Sequence, residues 1–77
     1  MMNKNEQSMA LEAQIISLRA KLTANTSEIG DWKIAKTYEA RLQNEPDPYN
    51  TEELLKARQD VRNKINEAQA KLAKLKP

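Results

Sequence analysis

The sequence predicts an all-α protein: an antiparallel coiled-coil-like helical hairpin whose first helix is bent or broken near residues 23–30. Three observations carry this expectation. Apolar residues recur at alternating steps of four and three in both halves of the chain, the periodicity of a helix with one apolar stripe. A proline-containing loop separates the halves. The composition, with one glycine, three prolines and abundant Ala, Leu, Glu, Lys, Gln and Arg, favours helix throughout. A compact three-helix bundle is the alternative that the same pattern allows.

Residues 1–7 read as a disordered start, and the first helix as residues 8–24. Its stripe is Leu11, Ile15, Leu18, Leu22, Asn25, Ile29 and Trp32, a heptad seam with one polar member. The stretch TANTSEIGDWKIAK, residues 23–36, interrupts it. Thr23, Asn25, Thr26 and Ser27 compete with a helix for backbone hydrogen bonds. Asn25 with Glu28 has the spacing of a capping box for a helix starting at residue 26. Gly30 costs a helix interior about 1 kcal/mol relative to alanine. Beyond it the apolar stripe shifts to Ile29, Trp32, Ala35, Tyr38 and Leu42, while Lys36 and Glu39 occupy the positions that would continue the seam. A helix over 27–43 is expected, either continuous with the first or separated from it by a true break.

Residues 44–50, NEPDPYN, form the connecting loop, because Pro46 and Pro48 lack amide hydrogens and bias their predecessors away from helical geometry. The last helix is placed at 51–76. Asn50 is its N-cap, Glu53 completes a capping box, and Tyr49 can staple onto Leu54. Glu52 and Glu53 suit the positive end of the helix dipole, and Lys71, Lys74 and Lys76 its negative end. The stripe here is Leu54, Arg58, Val61, Ile65, Ala68, Leu72 and Leu75, with Arg58 as the polar member.

Folding the two stripes together about Asp47 pairs Trp32 with Val61, Ile29 with Ile65, Asn25 with Ala68, Leu22 with Leu72 and Leu18 with Leu75. Offsets one heptad away align the seams equally well, and the loop selects this one. The expected hairpin core is thus Leu22, Ile29, Trp32, Tyr38, Leu54, Val61, Ile65, Leu72 and Leu75. In this register Leu11 and Ile15 find no partner before the C-terminus. Burying such side chains is worth roughly 1.5–3 kcal/mol each. An oligomer interface is therefore expected at Met9, Leu11, Ile15, Ile16 and Leu18, making the protein a homo-oligomer, unless the chain folds back as a bundle.

Seventy-seven residues, 39% of them apolar and ten of those alanine, are few from which to build a core, and there is no cysteine to staple it. The absence of His and Cys removes the commonest general base, metal ligand and nucleophile. The carboxylate pair Glu52–Glu53 is explained by its place in the first helical turn, and one glycine cannot build a phosphate-cradling loop. No catalytic, metal-binding or cofactor-binding residue is assigned, and a non-enzymatic protein is expected. No apolar run approaches a membrane span, and MMNKNEQSM lacks the apolar segment of a signal peptide. A cytoplasmic protein without a membrane partner is the expectation.

The run IGDWKIAKTYEARL, the loop ending PYN, and EELLKARQDVRNKIN resemble small helical proteins encoded by bacterial phages and prophages, over residues 27–66. The resemblance implies a mobile-element origin and supplies no activity or functional residue.

The function expected is protein–protein interaction or assembly, with self-association. A patch for a host or phage protein partner is placed at Lys33, Lys36, Arg58 and Arg62, beside Trp32 and Tyr38. Two other readings stand. A nucleic-acid-binding protein would use the basic open end, Arg19, Lys21, Lys71, Lys74 and Lys76. A phage-encoded inhibitor or adaptor would dock on a host or defence protein.

Overall fold

The computed structural model describes residues 3–75. Among them are three helices: α1 (Lys4–Thr23), α2 (Asp31–Leu42) and α3 (Thr51–Leu75). The fold is all-α, and α1 and α3 pack against each other along their lengths. Gln7 and Leu11 line a groove with Lys71 and Leu75, whereas the end of α1 meets Arg58 in the first third of α3, so the two helices run antiparallel. The molecule is elongated, 54 × 19 × 18 Å.

Helix α1 starts at Lys4, earlier than the disordered start expected over residues 1–7. Asn3 is extended and its side chain accepts a hydrogen bond from the Glu6 amide at 2.8 Å, with Glu6 in the first turn. Asn3 and Glu6 have the capping-box spacing, and this signal stands in the sequence. At the other end α1 stops at Thr23. The expected helix start at residue 26 is not found; residues 24–30 turn instead. Ser27 organises the turn: its hydroxyl donates to the Lys21 carbonyl and accepts from the Ile29 amide, while its carbonyl accepts from the Gly30 amide. The Trp32 indole N–H closes the same turn by donating to the Ser27 carbonyl at 2.6 Å. These polar side chains fold back on the local backbone, the competition that keeps them out of helix interiors.

Gly30 is the N-cap residue of α2, with φ −72° and ψ 167°. Any residue adopts that geometry; the need for glycine is spatial. A Cβ there would lie 2.6 Å from the Ala24 carbonyl oxygen and 2.9 Å from the Trp32 ring. Helix α2 ends in a Schellman motif: Asn44 takes φ 58°, its amide bonds to the Arg41 carbonyl, and the Glu45 amide bonds to the Ala40 carbonyl at 2.8 Å. Asn50 caps α3 as expected, accepting from the Glu53 amide at 3.1 Å.

The core is a narrow seam of Ile15, Leu18, Val61, Ile65 and Ala68, with Leu11, Leu22, Ile29 and Leu72 packed against it. Its register differs from the expected one. Leu72, expected opposite Leu22, shares a groove with Ile15, and Leu75, expected opposite Leu18, shares one with Leu11. The displacement is one heptad, which preserves the phase of both stripes. The cause is the break at residues 24–30: α1 is not extended by α2, so α1 alone covers α3 and slides until its own stripe is used. The expected overhang of Leu11 and Ile15 is therefore not found. Ile15 and Leu18 are buried and Leu11 is half-buried within the chain, so these three are not a free oligomer interface, whereas Met9 and Ile16 remain exposed. Trp32 is half-buried, and its ring meets that of Tyr49 edge to face at 5.9 Å.

Gly30→Ala is expected to lower stability by about 1–3 kcal/mol, the usual cost of forcing a methyl into packed surroundings. Thr26→Ala, an exposed change in the same turn, is expected to stay within about 0.5 kcal/mol. Urea unfolding of the two variants beside the parent chain measures both.

Candidate interaction surface

Arg58 was expected on a partner patch, as the polar member of the α3 stripe. The structure contradicts this. The stripe faces inward along its whole length, and Arg58 goes in with it, leaving the residue only 5% exposed. Its guanidinium donates to the Leu22 carbonyl at 3.3 Å, to the Ile29 carbonyl at 2.7 Å and to the Asp31 carboxylate at 2.5 Å. Leu22 supplies a carbonyl from the last turn of α1, which has no helical amide to receive it. Asp31 sits in the first turn of α2, where a carboxylate also suits the helix dipole. One fork of donors thus joins the end of α1, the following turn and the start of α2 to α3.

The rest of the expected patch divides. Lys33 is half-buried, its ammonium 4.7 Å from the Tyr49 ring centre and 5.6 Å from that of Trp32, so it is held in cation–π contact. Lys36 and Arg62 are exposed. The basic open end also divides. Arg19 borders a groove with Glu12, Ile16 and Gln69, whereas Lys71 and Lys74 border a different groove with Gln7 and Leu11. Lys21 is exposed, and Lys76 lies outside the described residues. Arg19 thus does not share a groove with Lys71 and Lys74.

Of the expected core, Leu54, Val61 and Ile65 are buried and Leu22, Ile29, Trp32, Leu72 and Leu75 are half-buried. Tyr38 is not core: it is 64% exposed. Helix α2 turns its small side chains inward instead, burying Thr37 and Ala40, and the Thr37 hydroxyl is satisfied by donating to the Lys33 carbonyl at 2.8 Å. That rotation leaves Ile34, Tyr38 and Leu42, spaced by four, on the outer side of α2, with Leu42 66% exposed. Ile34 and Tyr38 share a groove with Leu55 and Thr51 of α3, and Leu55 is 54% exposed. Sequence reading assigned no surface role to Ile34, Leu42 or Leu55. The four-residue spacing was visible, but which side of α2 turns inward was not.

At the turn end, Arg41 grips Asp47 through two bonds of 2.9 and 3.0 Å. Hydrogen bonding from Arg41 holds the Asp47 carboxyl below its ordinary range, and the same bond raises the Arg41 guanidinium. No buried side-chain polar atom among the described residues lacks a partner, and no group of three or more His, Cys, Asp or Glu residues there is placed to hold a metal ion. No described helix is long and apolar enough to cross a membrane. No protein-family model, curated protein or solved structure matches the chain.

Arg58→Ala is expected to cost about 2–4 kcal/mol, because it strands buried carbonyls that had a charged donor. Asp31→Asn is expected to cost under about 1 kcal/mol, since Asp31 is 60% exposed and water replaces the lost contact. Chemical denaturation of both variants and their double mutant checks the order. For the turn, a carboxyl-detected NMR titration is expected to place Asp47 below the ordinary aspartate range, and Arg41→Ala to return it there. The contribution of this pair is complete above that ordinary range and is lost as pH falls through the lowered pKa.

Proposed function

We propose that this chain works without catalysis, as a small helical assembly protein that associates with copies of itself. The observation that carries this reading is the apolar cluster Ile34, Tyr38, Leu42 and Leu55, left outside on a molecule whose core is one narrow seam. Contiguous exposed apolar side chains mark association surfaces more often than scattered ones do. The polar groups support it too. Among the described residues Arg58 and Thr37 are the buried polar side chains, and both donate to internal partners. We read the architecture as an antiparallel α1–α3 hairpin carrying α2 as an appended helix, supported by a core cluster whose buried members all come from α1 and α3.

The division of Arg19 from Lys71 and Lys74 weighs against the nucleic-acid reading, which needs a continuous basic track along a phosphate backbone. The phage or mobile-element origin, and with it a role as inhibitor or adaptor of a host protein, rests on the resemblance of residues 27–66 alone.

Sedimentation equilibrium at about tens of micromolar, where modest protein association becomes visible, is expected to give a mass above the 8.8 kDa of one chain. A monomer throughout that range ends the self-assembly reading.

A further inference from the structure

Four grooves flank α3, and helical geometry sorts them into two sides. Thr51, Leu55 and Gln69 stand 14 and 18 residues apart, close to whole numbers of turns, so they lie on one stripe of α3. Glu53, Ala57 and Lys71 define the opposite stripe by the same spacing. Ile16 lies over Gln69 and Leu72 at one end of the first side, and Ile34 and Tyr38 lie beside Leu55 at its other end. Met9, seven residues before Ile16, falls on the same side of α1 and is 69% exposed. One flank of the rod therefore carries an exposed apolar cluster near each end, about 20 Å apart from Leu55 to Gln69 at 1.5 Å per residue.

Resting on the self-association reading, we propose that this flank pairs with the same flank of a second copy in an antiparallel, two-fold dimer. Met9 and Ile16 of each chain cover Ile34, Tyr38 and Leu55 of the other. Because a two-fold axis brings each end onto the other, a single spacing satisfies both contacts at once. Charge selects the antiparallel direction. The open end carries Lys4, Arg19, Lys64, Lys71 and Lys74 against Glu6, Glu12 and Glu67, a net of +2, and the turn end carries seven carboxylates between Glu28 and Glu53 against Lys33, Lys36, Arg41, Lys56 and Arg58, a net of −2. Glu28, Glu53, Lys71 and Lys74 border the other flank, so this bias acts through the charge of the whole rod and not through pairs on the paired flank. Antiparallel pairing sets the basic end of one copy on the acidic end of the other; parallel pairing sets like on like.

The area agrees. The chain exposes 6022 Å², while a compact monomer of this mass exposes about 4,800 Å². A standard interface removes about 800 Å² per partner, and a flank 54 Å long and 18 Å wide is large enough to supply it. Arg62 falls midway between Leu55 and Gln69, so the two-fold axis brings it near its own copy, a like-charge contact that works against the pairing.

The natural lack of cysteine makes the test clean. Ile16→Cys and Leu55→Cys chains, alone and mixed, are treated with a short bismaleimide. The mixture is expected to yield cross-linked dimer far in excess of either variant alone. Linking of like with like, or no linking in a preparation that sediments as a dimer, overturns the antiparallel flank while leaving self-association standing. A preparation that sediments as monomer overturns both. Ile16→Lys, an exposed change with helicity checked by circular dichroism, is expected to weaken association at least 10-fold. Gln14→Lys, on the opposite flank, is expected to leave it unchanged. Equal effects of the two lysines overturn the assignment.

Discussion

The fold hangs on one buried guanidinium. Arg58 gathers the Leu22 carbonyl, the Ile29 carbonyl and the Asp31 carboxylate, groups 36, 29 and 27 residues away in sequence. An arginine inside a chain this small is costly to desolvate, and its bonds to two carbonyls and a carboxylate offset that cost. The arrangement meets two needs together. The last turn of α1 has carbonyls without amide partners, and the turn after it exposes another carbonyl toward α3. A single apolar residue at position 58 would bury the same stripe and leave those oxygens unmet.

Ordering that junction sets everything else about the chain. With α1 ended at Thr23 and tied down at Leu22, α2 departs on its own axis from Gly30, where close approach of the Ala24 carbonyl leaves no room for a side chain. Trp32 then turns its indole N–H back to Ser27 and its ring to Tyr49, with Lys33 over both rings. Helix α2 is fastened at its start by Arg58 and Trp32 and stopped at its end by Asn44 and the Arg41–Asp47 pair. Its small inward residues, Thr37 and Ala40, bring it near α3 and leave its large ones outside.

A narrow seam has a consequence for function. Alanine supplies a third of the apolar residues, and the buried cluster holds only five side chains. Little apolar surface is removed from water within one chain, and large apolar side chains such as Met9, Ile16, Tyr38, Leu42 and Leu55 remain exposed. Under the proposed self-association, a second copy would cover that surface and complete an undersized core.

Much of the fold was legible in residues 44–75. Asn50 with Glu53, the two prolines and the unbroken stripe from Leu54 to Leu75 each act locally, and each stands where the pattern places it. That the first helix is disturbed near Gly30 was legible for the same reason, although a bend and a break were both open to the sequence reading. Three things were not. The capping of Asn3 on Glu6 used a signal outweighed by the polar look of the first residues. The inward side of α2 was hidden because both its faces carry apolar residues. The one-heptad slide of α1 on α3 could not be read, since a seven-residue shift leaves both seams in phase, apolar opposite apolar except at the polar members Asn25 and Arg58. Sequence by itself determined the helices, their caps and the phase of each stripe, all of which depend on residues within a turn or two. Only the tertiary structure decided the register, the burial of Arg58 and the flank left bare, because these depend on which carbonyls the break at 24–30 leaves without partners.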